Sequence, residues 1–296
     1  MDKIDSLEKD IISLKIQGAT NIAFSVLEGI VIASKKIPAN KPVGEYLEKI
    51  GKKLAYARPT EPLAQNAIRF IFSNKKKGLE YYLLKVAEYK KLISEAKIKM
   101  GEEGIKLIHD GGVYFTHCHS STVTSIFIKA YKQGKKFSVI ATETRPRFQG
   151  RITVRELLDA GIEDVTLIID DAIETILQNY RQKIKAVFLG ADLLSCDGFV
   201  NKIGSLGIAY SAYHNNIPFY SMSILLKYDP RSFSNEMIEK RSEKEIWKDA
   251  PAKLKIYSPA FDFVPYDTGV KIVSEAGIIE GKEVSSVACS SYSFLK

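Results

Sequence analysis

The chain has 296 residues, 45% of them hydrophobic, enough for one large core or two modest ones without disulfides or metals as staples. Its three cysteines, Cys118, Cys196 and Cys289, show no paired spacing, and Met1-Asp2-Lys3-Ile4-Asp5 is too acidic for a secretory leader, which points to a reduced, cytoplasmic protein. The net charge of +8 is weighted to the first third, which holds 19 of the 43 Lys/Arg against 13 of the 35 Asp/Glu; runs such as Lys75-Lys76-Lys77 lack interleaved aromatics, so they read as a solvated face and not as a nucleic-acid site.

From Ile4 to about Met100 the apolar residues recur at helical spacing, as in Leu7, Ile11 and Leu14 and then Ile22, Val26, Leu27 and Ile30. The segment from Ile22 to Ala33 carries Glu28 and falls well short of the roughly 20 apolar residues a membrane span needs. Pro38 and Pro42 break the chain after it, and Arg58-Pro59-Thr60-Glu61-Pro62 makes an extended turn. Leu63 to Phe72 and Leu79 to Met100 are expected as further helices, the second rich in surface lysines. At Gly101-Glu102-Glu103-Gly104 the character changes, which divides the chain into a helical domain over 1–105 and a second domain over 106–296.

In that second domain short apolar runs alternate with helical segments: Val113 to Thr116, Phe137 to Ala141, Val165 to Ile169, Ala186 to Leu189 and Phe219 to Ser223. Ser120 or Ser121 can cap a helix that stops at Gly134, Thr153 to Glu156 has capping-box spacing, and Asp171 opens a helix through Tyr180. Continuous apolar strands between helices imply a parallel sheet covered on both faces, so the fold class is α/β: an N-terminal helical domain followed by a Rossmann-like domain that lacks the Gly-x-Gly-x-x-Gly dinucleotide loop.

Ligands of such a sheet bind beyond the carboxyl ends of its strands. The residues there are His117-Cys118-His119, Thr142 to Arg145, Asp170-Asp171, Gly190-Ala191-Asp192 and, a little further on, Lys227. Cys118 sits where a strand gives way to a helix, and a helix N-terminus with two imidazoles can lower a thiol pKa, although a cysteine can also pack as a small hydrophobe. His117 and His119 are not joined by further ligands at metal-site spacing, so no metal and no cofactor is expected. Asp192 is either an acid/base or a cap. Asn201-Lys202-Ile203-Gly204-Ser205 combines an ammonium with a helix start and so suits an anion, while Arg145 and Arg147 either add phosphate contacts or pair with Glu143 and Asp170. A thiol, a carboxylate and several cations around one crevice suit proton transfer on a small phosphorylated substrate.

These segments resemble a known family. Thr116 to Ser121, Thr142 to Arg151, Gly190-Ala191-Asp192 and Asn201 to Ser205, with Ala57-Arg58-Pro59-Thr60 and Phe261 to Pro265, are similar to the ordered motifs of the sugar-phosphate isomerases related to translation initiation factor 2B. The Cys-His-Ser-Ser and Ala-Arg-Pro-Thr stretches are most similar to the archaeal branch acting on ribose 1,5-bisphosphate, and the Arg-Gly-Ala-Pro-Ala-Ile-Gly motif of the methylthioribose-1-phosphate branch has no obvious counterpart; the same chemistry on a methylthiopentose 1-phosphate is the alternative. The resemblance implies an aldose–ketose isomerase in which Cys118 and Asp192 move the protons and Gln17, Gly18, Arg58, Ser120, Arg145, Asn201, Lys202 and Lys227 hold the phosphorylated pentose. It also implies a homo-oligomer, a dimer or hexamer, and raises a nucleotide activator. The non-catalytic regulatory subunits of the family typically lack this cysteine and have glutamate in place of Asp192, so retaining both favours an enzyme over a binding protein. One departure stands out: the isomerases read Arg-Gly-Ala where this chain reads Gln17-Gly18-Ala19, which removes a cation expected on a phosphate and leaves Lys15 as the nearest substitute.

Overall fold

The computed structural model describes residues 3–74, 77–234 and 238–296; Lys75 and Lys76 of the lysine run lie outside them. The N-terminal half consists of α1 (Lys3–Ile12), α2 (Ala19–Ser34), α3 (Val43–Ala55), α4 (Pro62–Ile71) and α5 (Leu79–Lys106). Pro62 opens α4 at a first-turn position whose N–H has no intrahelical partner in any case, and Pro42 directly precedes α3. Ile22, Ala23, Val26, Leu27, Ile30 and Ala33 of α2 are all buried, because α1, α3 and α4 pack around it. No described helix is long and apolar enough to cross a membrane.

The Gly101 to Gly104 stretch is not a break: α5 runs through it to Lys106. A Cβ on Gly104 would meet Ile126 Cδ1 at 2.6 Å, so the glycine is what allows α5 to lie close against α6 (Ser121–Lys132).

The strands are β1 (Gly112–Thr116), β2 (Phe137–Thr142), β3 (Val165–Ile168), β4 (Ile184–Gly190), β5 (Leu193–Leu194), β6 (Gly198–Lys202), β7 (Phe219–Met222), β8 (Phe261–Pro265), β9 (Lys271–Ser274) and β10 (Gly277–Glu280). The five predicted from sequence form the parallel run β7-β4-β1-β2-β3; β9 extends it in parallel beyond β7 and β10 closes that edge antiparallel. The remaining helices are α7 (Gln149–Asp159), α8 (Ile173–Asn179), α9 (Ser205–His214) and α10 (Val284–Ser291). A second, antiparallel sheet, β5-β6-β8, was not anticipated: β6 carries Asn201 and Lys202, and its partner β8 lies some sixty residues further along the chain.

Alternation on the strands divides the core between the two faces. Tyr114, Val139, Phe188, Met222 and Val273 pack with α1 to α7 in one cluster, whereas Phe115, Ile140, Val187, Leu189 and Ile272 pack with α8, α9 and α10 in the other. The first cluster is continuous across residue 105, so the helical half forms one wall of the sheet's own core. α7 begins at Gln149, after Phe148 in a left-handed conformation, and not at the Thr153 capping box; Thr153 lies inside the helix, where its hydroxyl reaches back to the end of β1.

Candidate active site

The loops at the carboxyl ends of β1, β2 and β4 open on a cavity of about 500 Å³. Cys118, Asp192, Gln17, Gly18, Arg58, Ser120, Asn201, Lys202 and Lys227 all line it. Arg145 does not: its backbone N–H donates to Asp170 and its guanidinium to the Ile246 carbonyl and over the Phe148 ring. Arg147, two residues on, lines the cavity instead. Lys15 is turned away on the surface and pairs with Asp10.

Cys118 has φ 65°, a left-handed backbone that costs a residue with a side chain roughly 1–2 kcal/mol. Two threonines hold it there: its N–H donates to Thr144 Oγ1 at 2.9 Å, and its carbonyl accepts from Thr153 Oγ1 at 3.0 Å. Thr144 is itself left-handed and pinned by its N–H to Asp170 at 2.8 Å. Gly190, at the end of β4, faces Ser120; a Cβ there would stand 2.7 Å from the Ser120 hydroxyl oxygen, so only glycine lets the start of α6 reach the Asp192 loop.

The electrostatics differ from the sequence reading. Burial pushes the Cys118 thiol up to about 12, against the opposing field of Lys202 and the backbone N–H of His119, so the unliganded sulfur is a thiol. The neighbouring imidazole does not help. His117 has its Nε2 on the Ile203 carbonyl at 2.8 Å and its Nδ1 on the Thr142 hydroxyl at 2.6 Å, and burial lowers it to about 4. With Nε2–H donating to a carbonyl, Nδ1 accepts, and the ring is a neutral strut between β1, β2 and β6.

The start of α9 also departs from expectation. Its N–H groups, those of Gly204 and Leu206, are taken by the Asp262 carboxylate from β8 at 2.7 and 3.1 Å, and Ser205 donates to the Lys202 carbonyl while accepting from Asn201. The helix end is thus filled by the protein's own carboxylate, and an anion would meet the side chains of Asn201 and Lys202 alone. The helix N-terminus that does open on the cavity is that of α6, where Ser120 caps Val123 and Ser121 and Thr122 line the wall.

Among the described residues, six cations border the cavity: Arg58, Lys97, Arg147, Lys202, Lys227 and Arg241. Most are already engaged. Arg58 binds Glu61 at 3.0 Å and Glu239 at 2.9 Å, Arg241 binds Glu239 and Glu245, and Lys227 donates to the Ala191 carbonyl. The ammonium groups of Lys202, 7% exposed, and of the half-buried Lys97 have no hydrogen-bond or ion-pair partner among the described residues. Burial lowers the pKa of both ammoniums, and Lys97 is further lowered by Lys227 and Lys129. Burial raises Asp192 and, beside it, pushes Glu61 up to about 8. Sequence reasoning missed Lys97, Glu61, Glu239 and Arg241 as wall residues; of these, Glu61 alone stood in a segment that the sequence marks, the extended turn from Arg58 to Pro62.

The sequence profile of the initiation factor 2 subunit family matches residues 15–281. The chain is 33% identical to the ribose 1,5-bisphosphate isomerase of Archaeoglobus fulgidus over 94% of this chain and 90% of that protein. It is 32% identical to the ribose 1,5-bisphosphate isomerase of Methanocaldococcus jannaschii over 94% of this chain and 92% of the relative. Among solved structures, the translation initiation factor eIF-2B of Pyrococcus horikoshii superposes with a TM-score of 0.83 at 25% identity, covering 95% of this chain and 98% of its own.

Proposed function

The chain belongs to the initiation factor 2 subunit family, and on that premise we propose that it is an aldose–ketose isomerase converting ribose 1,5-bisphosphate to ribulose 1,5-bisphosphate. What carries the reading is that a thiol, Cys118, and a carboxyl group, Asp192, face one cavity together with two ammonium groups, Lys97 and Lys202, that have no anionic partner among the described residues.

The chemistry runs in two balanced steps. In the first, the bond between carbon 1 and the ring oxygen breaks. The ring oxygen takes a proton from Asp192, which burial equips to carry one, while Cys118 as thiolate removes the proton on carbon 2. In the second, the thiol returns that proton to carbon 1 of the enediol-type intermediate, and the hydroxyl proton on carbon 2 returns to Asp192. Both groups end as they began. Burial favours the thiol form, so before the first step the thiol gives up its proton to solvent, and the thiolate needs a cation beside it; Lys202, the group that pulls the Cys118 pKa down most strongly, fills that role.

The two phosphates are assigned to two sets of lining residues, one to Lys202 and Asn201, the other to Lys97 with the N-terminus of α6 and the Gln17-Gly18 turn. The reading includes residues 1–105 as the helical unit and 106–296 as the Rossmann-like one, assembly with further copies of the chain, and activation by a nucleotide. The test is turnover of ribose 1,5-bisphosphate, with and without AMP, by the wild type, Cys118→Ser and Asp192→Asn. Each variant should fall by about 10²–10⁴-fold while keeping its fold. A variant retaining wild-type kcat would remove that residue from the mechanism.

A further inference from the structure

Asn66 is fully buried on α4, in the helical half of the chain. Its side-chain amide donates to the carbonyl of Leu226 at 2.8 Å and to that of Tyr228 at 2.8 Å, the residues on either side of Lys227. The partners fix which way the amide points. Two carbonyls can only accept, so Nδ2 faces them, and Oδ1 accepts from Arg69 Nη1 at 3.0 Å. Both donors of the amide are thus spent on the peptide that carries Lys227, 160 residues or more away in sequence. Lys227 closes a short 3₁₀ turn, Leu225–Lys227, after β7 and lines the cavity. Its ammonium donates to the carbonyl of Ala191, the residue directly before Asp192. The lysine stem is flexible, so its reach to one carbonyl depends on where its own backbone stands.

We propose that Asn66 is a positioning residue: its amide clamps the backbone on both sides of Lys227 so that the ammonium stays on the Ala191 carbonyl, and this contact places the Asp192 carboxyl for proton transfer. A carboxyl group moves a proton only from the right place, and a misplacement of about 1 Å costs on the order of 100-fold in rate. The charge matters as well as the contact. Burial raises Asp192, and Lys227 is the cation that opposes this most strongly, so an ammonium held in place keeps the carboxyl able to release a proton as well as to take one. The inference rests on the isomerase reading and brings into it a residue of the helical half that no sequence motif marked.

The experiment is a double-mutant cycle: kcat and KM for ribose 1,5-bisphosphate, with melting temperatures alongside, in the wild type, Asn66→Ala, Asn66→Asp, Lys227→Met and the two double variants. Asn66→Asp keeps the size of the side chain and its link to Arg69 but has no N–H for the two carbonyls. Each single variant should lower kcat by about tenfold or more, and the Asn66 variants should keep KM within about threefold, because the phosphate contacts at Lys97 and Lys202 are untouched. In the Lys227→Met background the Asn66 substitutions should change kcat by less than about twofold, since the ammonium they act through is gone, whereas their cost in melting temperature should appear in both backgrounds. A wild-type kcat in any single variant, or a loss from Asn66 that persists beyond about twofold once Lys227 is methionine, would overturn the proposal. If neither Asn66 variant folds, Arg69→Met decides: it removes only the donor that orients the amide, and should lower kcat about threefold with Lys227 present and not at all without it. No loss, or equal loss in both backgrounds, would overturn the proposal in the same way. A wild type that neither binds nor converts any pentose phosphate would overturn the functional reading itself, a distinct result.

Discussion

Replacing Lys97 by methionine removes the cation that we assign to the second phosphate while keeping the length of the side chain. Lys97 is half-buried on α5, lines the cavity, and has no anionic partner among the described residues; Lys227 and Lys129 lower its pKa further. The free protein therefore gains nothing from this charge, and Lys97→Met should leave the melting temperature unchanged or slightly higher. The bound state differs. A charge-assisted contact to a phosphate is worth about 1.5–3 kcal/mol, so KM for ribose 1,5-bisphosphate should rise by about 10- to 100-fold with kcat little changed. Adding Gln17→Arg, an exposed residue lining the same cavity, should recover most of the loss by supplying a replacement cation. Steady-state kinetics of the two single variants and the double variant decide it. A wild-type KM in Lys97→Met, or no recovery in the double variant, would refute the assignment of a phosphate to Lys97.

The buried groups give two further outcomes. Because burial lowers His117 to about 4 in the folded protein, against about 6.5 unfolded, the unfolded chain takes up the proton first. Stability from this residue is complete above pH 6.5 and is lost as pH falls toward 4, and urea denaturation should show the wild type losing about 2 kcal/mol more than His117→Gln between pH 7.5 and 5; equal losses would contradict a buried neutral ring. Cys118, held as a thiol, should react with iodoacetamide at pH 7 far more slowly than the exposed Cys196. Peptide mapping that finds Cys118 alkylated first would show a resting thiolate.

The parts of the site legible in the sequence are those that the sheet dictates. Five apolar runs between helical segments fix a parallel sheet, and the residues just after each strand must meet at one edge; this rule alone brings Cys118 and Asp192 into one cavity with Lys227. The parts that stayed hidden depend on packing. Lys97 sits in a lysine-rich helix that reads as surface, and only the docking of α5 against the sheet turns that one lysine inward. Glu239 and Arg241 belong to a connection without periodicity, so no pattern marks them. Asp262 fills the start of α9 because β8 pairs with β6 across a long stretch of chain. The thiol pKa was misjudged for a similar reason: the adjacent histidines suggested a positive neighbourhood, but burial and two hydrogen bonds keep His117 neutral and the sulfur protonated.

The most direct measurement is to incubate the wild-type protein with ribose 1,5-bisphosphate in D₂O and follow the carbon-bound protons by NMR. The account predicts ribulose 1,5-bisphosphate as product, with at least part of the carbon-2 hydrogen recovered at carbon 1, and no ketose formed by Cys118→Ser. Folded protein that binds the sugar phosphate and yields no ketose, with or without AMP, would contradict it.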